Sequence, residues 1–530
     1  MVVDEKQLEQ LGAFEISQKM LALAQKNEKS NVFLNAGRGN PNWINTLARL
    51  AFARLMQFGI QESRRTINNG AMAGYVETNG IRERLEAFLD PENNREDQFL
   101  EDVLTYVKDE LKLDQDAVVA EITNGIVGNN YPVPSRVLKN SEVILNEYLQ
   151  STLYGKTKLA KHTELFPTEG GTAAIVYAFH SLAENHLLKP GDKIAINTPI
   201  FTPYLQIPEL NDYELVEVDL RSREKDNWEI KPSEIEKLSD PSIKALFVVN
   251  PTNPTSKAFN HKALLAIEHA VKQNPELMII TDDVYGTFVS DFKTIYSVAP
   301  HNTMLVYSFS KLYGATGWRL GLIALNKDNV FDKKISELGS KNKAELHERY
   351  EHVVIDPDKM KFIDRMVADS RSVGLYHTSG LSTPQQMMEV LFALTHLVYA
   401  NGSTDAYIDK SRALVGERYE KLHKSMGAKE DESRTSAKYY SLIDIYRIAE
   451  RKYGKAFREY LENNFEQVDF LLKLAKKNGV VLMDGVGFGS KPGELRVSEA
   501  NLPTDDYALI GKQVLELLRE YHHDFESQNK

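Results

Sequence analysis

The 530-residue chain contains no cysteine, which excludes disulfide bonds, thiolate metal sites and cysteine nucleophiles. It has no apolar run that approaches the ~20 residues a membrane-spanning helix requires. Its first ten residues, MVVDEKQLEQ, are charged from the fourth position and have no apolar centre, so we expect no secretory signal. These absences predict a cytoplasmic protein that is not embedded in a membrane.

Positive charge is also in deficit. The chain has 64 Lys and Arg against 75 Asp and Glu, a formal net charge of −11. An acidic surface repels phosphate backbones, so nucleic acid is not an expected partner. The net negative charge does not exclude a small anionic substrate, because a local pair of arginines can make the electrostatic potential inside one cleft positive. The length is sufficient for two or more lobes.

Short apolar runs alternate with helical patterns in the centre of the chain. This alternation is typical of an α/β fold in which helices cover both faces of a mostly parallel sheet. Helices are predicted at Thr172–Asn185, directly after a glycine pair, and at Lys262–Lys272. The strand candidates are Lys193–Ile196, Ala245–Val249, Met278–Thr281, Met304–Tyr307 and Leu320–Ala324.

We predict that the chain divides into a large and a small domain. Residues 66–370 form the large domain, and residues 1–65 and 371–530 contribute to the small one. Charged, helix-rich stretches at about 90–163 and about 326–370 have the character of insertions into the large domain.

The carboxyl-terminal part beyond Tyr376 predicts a separate α+β lobe. Helical patterns run over Lys410–Ser425 and Ile448–Asn478, and a short strand pattern lies near Leu495–Val497.

The strongest chemical signal is the segment SFSKLYGATGWRLG, which contains Lys311 directly after an apolar strand. Burial among small residues disfavours the charged amine and so supplies the free amine that attacks an aldehyde. Arg319 suits two-point binding of a phosphate, and the hydroxyls of Ser308 and Ser310 add neutral donors.

This segment closely resembles the lysine signature of fold-type I enzymes that depend on pyridoxal 5′-phosphate, the aspartate aminotransferase group. The resemblance implies a large domain with a mostly parallel seven-stranded type of sheet between helices, and a smaller α+β domain. It implies that Lys311 carries the cofactor, and it implies no metal.

Two segments upstream of the lysine resemble the family's phosphate and ring sites. The segment PTEGGTAA, with Gly170, Gly171 and Thr172, resembles the phosphate cup, in which glycines admit the phosphate to backbone N–H groups at a helix start. The segment PIFTPY resembles the one that lays an aromatic ring on the cofactor, which makes Phe201 the candidate. The alternative for Phe201 is an ordinary core phenylalanine.

Two further motifs resemble those that hold the pyridine ring. In NPTNPT, Asn253 matches the donor to the cofactor's phenolate oxygen, although Ser256 stands where the family has glycine and so loosens the expected turn. Asp282 matches the carboxylate that pairs with the pyridine N–H and keeps the ring cationic. Tyr285 matches a second phenolate donor, whereas the adjacent Asp283 points the other way.

The remaining matches concern the substrate and a partner subunit. Tyr75 resembles the tyrosine that reaches the phosphate of the neighbouring subunit. Arg496 matches the arginine that grips the substrate α-carboxylate by a two-point fork. Arg38 and Gly39 lie in the closing segment GRGNPNW, residues 37–43, which resembles the part of the small lobe that closes over substrate in the family. Asn253 completes the expected substrate contacts.

Two features resemble the aspartate 4-decarboxylase branch of this family: the inserted VGNNYPVPSR segment, residues 127–136, and Arg38 in the closing segment. This resemblance implies β-decarboxylation of L-aspartate to L-alanine and CO₂, through a ketimine and an enamine, with side aminotransferase activity. Arg38 and the inserted segment are expected to shape the β-carboxylate pocket. Whether Tyr131 and Arg136 reach the site is left open.

Two alternatives differ in class. The first is a plain aspartate or aromatic aminotransferase that uses 2-oxoglutarate. The second is a regulator that senses the cofactor, which requires a basic DNA-binding domain ahead of this region, whereas the chain is acidic. The resemblance also implies a homodimer as the catalytic unit and, for the decarboxylase branch, a dodecamer.

Overall fold

A computed structural model describes residues 13–26, 33–207, 214–464 and 467–528. The first ten residues, on which the expectation about a secretory signal depends, lie outside these ranges. No helix within them combines the length and apolar composition needed to cross a bilayer.

The helices, in chain order, are α1 Ala13–Ala24, α2 Thr46–Thr66, α3 Ile81–Phe88, α4 Arg95–Asp109, α5 Gln115–Val127, α6 Lys139–Thr152, α7 Gly171–Glu184, α8 Thr202–Leu205, α9 Pro232–Ile235, α10 His261–Gln273, α11 Val330–Ser336, α12 Ser340–Tyr350, α13 Phe362–Asp369, α14 Thr383–Leu397, α15 Ala406–Met426, α16 Ile445–Tyr453, α17 Lys455–Asn464, α18 Gln467–Asn478 and α19 Thr504–Gln528.

The strands are β1 Leu34–Asn35, β2 Asn68–Asn69, β3 Met72–Ala73, β4 Thr163–Thr168, β5 Lys193–Thr198, β6 Val216–Arg221, β7 Ile243–Val249, β8 Met278–Asp282, β9 Thr303–Ser308, β10 Gly321–Asn326, β11 Tyr440–Asp444, β12 Val480–Val481, β13 Met483–Asp484 and β14 Glu494–Ser498.

Several helices begin where the side chain of a capping residue accepts a hydrogen bond from a backbone N–H of the first turn. Asn45 caps α2, Asp114 caps α5, Asn260 caps α10 and Asp405 caps α15. Such caps satisfy amides that the helix leaves without partners. The helix α15 ends before Gly427, whose φ of 62° lies in the left-handed region that favours glycine.

The central sheet has seven strands in the order β4-β10-β9-β8-β7-β5-β6. The strand β10 runs antiparallel to both of its neighbours, and the remaining pairs are parallel. The central strands are buried along almost their whole length, which explains their continuous apolar sequence. The predicted α/β class with a mostly parallel sheet is confirmed.

The larger hydrophobic core surrounds this sheet and includes buried residues of α2, α4, α5, α6 and α14. The helices of the predicted 90–163 insertion therefore contribute to the core. The predicted boundaries assign α2 and α14 to the small domain, whereas both pack with the larger core. Those boundaries stay predictions about domain organisation.

A second core lies around the three-stranded sheet β11-β14-β13 and the helices α1 and α15–α19. The amino-terminal segment joins this lobe, because β1 pairs in parallel with β12 and Leu34 lies opposite Val480. The single helical pattern over 448–478 is wrong as one helix. Gly454, with φ of 89°, separates α16 from α17, and α18 begins at Gln467.

Candidate active site

The carboxyl ends of β4, β5, β7, β8 and β9 meet at one edge of the sheet. The antiparallel β10 begins at this edge, since Gly321 lies opposite Thr168 and Ser308. Ligands in α/β sheets bind at such an edge. A cavity of about 230 Å³ opens here, lined by Gly37, Gly39, Gly171, Thr172, Phe201, Tyr204, Val249, Asn253, Asp282, Val284, Tyr285, Ser308, Ser310, Lys311, Thr316, Arg319, Tyr440 and Arg496.

Most of the predicted site residues line this cavity, although their individual roles stay predictions. Gly170, Arg38 and Tyr75 do not belong to the lining. The Arg38 side chain is exposed, between the lining residues Gly37 and Gly39. Tyr75 is 59% exposed, and its predicted contact concerns a partner subunit.

Lys311 lies three residues beyond the end of β9, and its Nζ donates a hydrogen bond of 3.2 Å to the Gly39 carbonyl. The Tyr439 hydroxyl donates to the same carbonyl at 2.9 Å. The Ser308 hydroxyl donates to the Leu320 carbonyl at 2.8 Å, which ties the end of β9 to the approach to β10. These contacts position the amine between the large lobe and the closing segment.

One end of the cavity is suited to an anion. Gly170 has a φ of 92°, and a Cβ atom at that position would lie 2.6 Å from Nη2 of Arg319. The guanidinium therefore lies against a turn that glycine keeps open. The helix α7 begins at Gly171, so its free N–H groups and positive dipole end lie beside Arg319.

Asp282 is buried at the end of β8. Burial raises the pKa of its carboxyl group to about 6, while hydrogen bonds from the Val284 N–H and the Tyr204 hydroxyl and the charge of Lys311 oppose this rise. The adjacent Asp283 does not line the cavity and accepts the Thr281 hydroxyl at 2.6 Å. Asp282 is therefore the carboxyl group available to a ligand.

Arg496, on β14, is 2% exposed. Its Nη1 donates to the Gly37 carbonyl at 3.0 Å, and its guanidinium lies 4.1 Å from the centre of the Tyr440 ring. Within the described ranges it forms no ion pair, and its buried Nε has no hydrogen-bond partner. A buried cation of this kind is suited to a carboxylate ligand.

Two tyrosine hydroxyls meet on the small-lobe side of the cavity. The Tyr285 hydroxyl lies 2.9 Å from that of Tyr440, and burial raises the pKa of Tyr285 well above its usual value. Sequence reasoning did not single out Tyr440 or Tyr204. The segment PIFTPY contains Tyr204, so its motif offered a signal, whereas Tyr440 lies in no recognised motif.

Phe201 and Asn253 also line the cavity. The Phe201 ring packs edge-on against Tyr204, with centroids 5.2 Å apart. Asn253 is buried, and its Oδ1 has no hydrogen-bond partner in the described part of the chain.

The inserted 127–136 segment contributes no residue to this lining. Tyr131 is 72% exposed. Arg136 pairs with Glu142 at 3.1 Å and Asp364 at 3.2 Å, and also donates to the Leu165 carbonyl. In this chain Arg136 therefore joins α6, β4 and α13.

The family model for aminotransferases of class I and II matches residues 129–510. The chain belongs to the class I and II aminotransferase family. It is 42% identical, over 99% of both chains, to a Pseudomonas protein named bifunctional aspartate aminotransferase and L-aspartate beta-decarboxylase. This relative confirms the resemblance that the sequence predicted.

More distant family members match in part. The aspartate aminotransferase of Pyrococcus abyssi is 33% identical over 147 residues, which are 26% of this chain and 36% of that protein. The structure of the Thermus thermophilus aspartate aminotransferase with maleate superimposes with a TM-score of 0.60 at 16% identity. That match covers 98% of this chain and 100% of the other, and it supports the fold.

Enzymes of this family use pyridoxal 5′-phosphate, so the predicted cofactor is confirmed at the level of the family. The cavity also fits this cofactor. Arg319 and the start of α7 are suited to its phosphate, Asp282 to its ring nitrogen, and Lys311 to its aldehyde. Asn253, whose buried Oδ1 lacks a partner among the described residues, lines the same cavity.

Proposed function

We propose that this enzyme releases the β-carboxylate of L-aspartate as CO₂ and forms L-alanine, with pyridoxal 5′-phosphate as cofactor and aspartate aminotransferase as a side activity. The main support is that one cavity contains the amine of Lys311, the buried carboxyl group of Asp282 and the guanidinium of Arg496, which has no ion-pair partner among the described residues. The name of the 42% identical relative supports the substrate and both activities.

Bound at this edge of the sheet, pyridoxal 5′-phosphate supplies an electron sink for the carbon atoms of the amino acid. Asp282 holds the proton of the ring nitrogen and so preserves a positive charge there. Arg496 binds the α-carboxylate by two parallel hydrogen bonds. Lys311, as a free amine beside the bound amino acid, would move the proton at Cα.

Arg38 is proposed to shape the β-carboxylate pocket. Both of its neighbours in the chain, Gly37 and Gly39, line the cavity, which supports this role. No residue of the 127–136 segment lines the cavity, so the predicted part of that segment in the pocket has no support within this chain. Loss of CO₂ leaves an electron pair at Cβ, which takes a proton, so each turnover removes one proton from solution. Transamination uses the same lysine, aspartate and arginine and differs in the release of oxaloacetate.

The assembly and location follow from the same proposal. A homodimer is the proposed catalytic unit, with Tyr75 reaching the phosphate site of the partner subunit, and such dimers are proposed to form a dodecamer. The proposed location is the cytoplasm. Because each turnover takes up one proton, the proposed physiological role is in acid resistance or, together with an aspartate/alanine exchanger, in energy conservation.

The test supplies purified protein, loaded with pyridoxal 5′-phosphate, with L-aspartate and no keto acid. Sustained release of CO₂ and alanine in equal amounts is expected. A Lys311→Ala variant serves as the control for uncatalysed loss of CO₂. Oxaloacetate that forms only when 2-oxoglutarate is added, with no CO₂ beyond the Lys311→Ala background, would instead make this enzyme a plain aminotransferase.

A further inference from the structure

Tyr440 contacts two predicted ligand-binding residues at once. It is 2% exposed and lines the cavity. Its hydroxyl lies 2.9 Å from the Tyr285 hydroxyl, and its ring lies 4.1 Å from the guanidinium carbon of Arg496. One side chain therefore links the predicted donor to the cofactor oxygen with the predicted α-carboxylate site.

Ser256 fixes the position of Tyr440. The Ser256 hydroxyl accepts a hydrogen bond of 2.7 Å from the Tyr440 N–H, and the Ser256 carbonyl accepts the Ala437 N–H at 2.8 Å. Ser256 is buried and has a φ of 55°, a conformation that favours glycine. A glycine would relieve this strain but would lose the hydroxyl. The serine therefore links the Asn253 turn, residues 250–256, to β11 by a hydrogen bond, and its strained backbone lowers the stability.

The closing segment also depends on Tyr440. A Cβ atom at Gly39 would lie 2.1 Å from the Tyr440 hydroxyl oxygen, so the segment passes close to this ring only because residue 39 is glycine. The Gly39 carbonyl accepts the Lys311 amine. Tyr440 thus lies where the Asn253 turn, the closing segment and β14 meet.

We propose that Tyr440 is a positioning residue of this active site, which donates its hydroxyl proton to Tyr285, supports Arg496 with its ring and is held in place by Ser256. The proposal rests on the proposed function for the identity of the ligands. Each hydroxyl has one proton. If Tyr440 donates to Tyr285, the Tyr285 proton points into the cavity towards an anionic oxygen, and the chain of bonds strengthens this donation.

The ring has a separate effect on Arg496. An aromatic face attracts a guanidinium above it and so favours one orientation of the planar fork. Phenylalanine at position 440 keeps this support and loses the hydroxyl, whereas leucine loses both. The two substitutions therefore separate the two parts of the proposal.

The test compares Tyr440→Phe, Tyr440→Leu and Ser256→Gly, each loaded with pyridoxal 5′-phosphate. The first measurement is a pH titration of the visible absorbance of the bound cofactor without substrate. The absorbance pKa is the pH midpoint of the change in cofactor absorbance. We expect it to rise in Tyr440→Phe, because a hydrogen bond to the ionised form of the cofactor favours that form and the donation to its phenolic oxygen is weaker in this variant. Ser256→Gly gives a smaller shift in the same direction, since Tyr440 is less firmly held.

Steady-state kinetics with L-aspartate give the second measurement. For Tyr440→Phe we expect kcat to fall about tenfold with KM within about twofold of the wild type. For Tyr440→Leu we expect KM to rise by a further factor of about ten, because the support of Arg496 is lost. Tyr507→Phe is the control, since it removes a buried small-lobe hydroxyl that, among the described residues, hydrogen-bonds backbone groups such as those of Ser498 and Leu502.

Tyr507→Phe is expected to lower Tm and leave the absorbance pKa and KM unchanged. A Tyr440→Phe variant that behaves in the same way would overturn the proposal. The absorbance titration decides this even if the wild type binds pyridoxal 5′-phosphate and fails to release CO₂ from aspartate. That last result would overturn the proposed decarboxylation alone.

Discussion

Glu499 is a buried acid three residues beyond Arg496 in the chain. Its Oε1 accepts the Ser441 hydroxyl at 2.5 Å, and its Oε2 has no hydrogen-bond partner within the described residues. Burial raises the pKa of Glu499 to about 8, although the Ser441 hydroxyl and the charges of Arg496 and Arg418 act in the opposite direction. At neutral pH the group is therefore mostly protonated.

This shift makes folding stability depend on pH. Because the folded pKa lies above the unfolded one, the contribution of Glu499 is complete below about pH 4.3 and is lost as the pH rises through about 8. Between these limits the loss is about 1.4 kcal/mol per pH unit. Glu499→Gln does not titrate, so its urea midpoint is expected to fall less than that of the wild type between pH 5.5 and pH 8.

Glu236→Gln, at an exposed position, is the matched control and is expected to follow the wild-type pH dependence. An equally steep fall in Glu499→Gln would show that Glu499 does not titrate in this range. The comparison between variants is needed because Asp282 and Asp283, with pKa values of about 6 and about 7, titrate in the same window.

At the scale of elements, the contact between β10 and the turn before α7 defines the anion end of the cavity. A Cβ atom at Gly321 would lie 2.7 Å from the Gly170 carbonyl carbon and 2.8 Å from the Gly171 nitrogen. Both neighbours are backbone atoms and cannot rotate away. Gly321→Ala therefore displaces the turn that is proposed to bind the phosphate.

We expect Gly321→Ala to weaken binding of pyridoxal 5′-phosphate by a factor between about 5 and about 150, which corresponds to an overpacking cost of about 1–3 kcal/mol. Absorbance titration of the cofactor-free protein measures this. The control is Gly317→Ala, because nothing lies within 4 Å of a Cβ atom at Gly317. If both variants bind the cofactor like the wild type, the turn tolerates the displacement and the close contact does not control affinity.

The sequence predicted the central elements to within about three residues. The strands β5, β7, β8, β9 and β10 are buried and apolar, and such runs are easily recognised. The two outer strands were not predicted. The strand β4 contains Pro167, and β6 alternates apolar and charged residues at an exposed edge, where Val216 is 47% exposed.

The site likewise contains residues that the sequence predicted and residues that it did not. The lysine, asparagine and aspartate motifs predicted residues whose position follows from a strand end, and these line the cavity. Tyr440 could not be predicted, because its position depends on the packing of the small lobe against the Asn253 turn. The departure at Ser256 was visible in the sequence, but its hydrogen bond to Tyr440 required the fold.

At the scale of the whole molecule, the cavity needs both lobes and the amino-terminal segment. Lys311 comes from the large lobe, Arg496 from the small lobe and Gly39 from the closing segment.

A second feature of the whole molecule is an exposed apolar region around the short β2–β3 pair. Ile67, Met72 and Tyr75 are 48%, 57% and 59% exposed. Neighbouring exposed apolar residues of this kind are typical of an interface between subunits.

The Tyr75 backbone is held by Thr66, whose Oγ1 accepts the Tyr75 N–H at 2.9 Å, while the Tyr75 ring stays exposed. If Tyr75 completes the phosphate site of a partner subunit, Tyr75→Ala weakens binding of pyridoxal 5′-phosphate about tenfold, the effect of losing one hydrogen bond to a charged group. Lys311→Ala is inactive because it lacks the amine. In a shared site, therefore, the two substitutions remove residues that come from different chains.

Co-expression of the two variants distinguishes a shared site from a site within one chain. In a mixed dimer, one site combines the intact Lys311 of the Tyr75→Ala chain with the intact Tyr75 of the Lys311→Ala chain. At limiting pyridoxal 5′-phosphate, we therefore expect the co-expressed protein to release CO₂ from aspartate faster than either variant alone. If Tyr75 served its own chain, no intact site would form, and the rate would stay below that of Tyr75→Ala because half of the chains lack the amine.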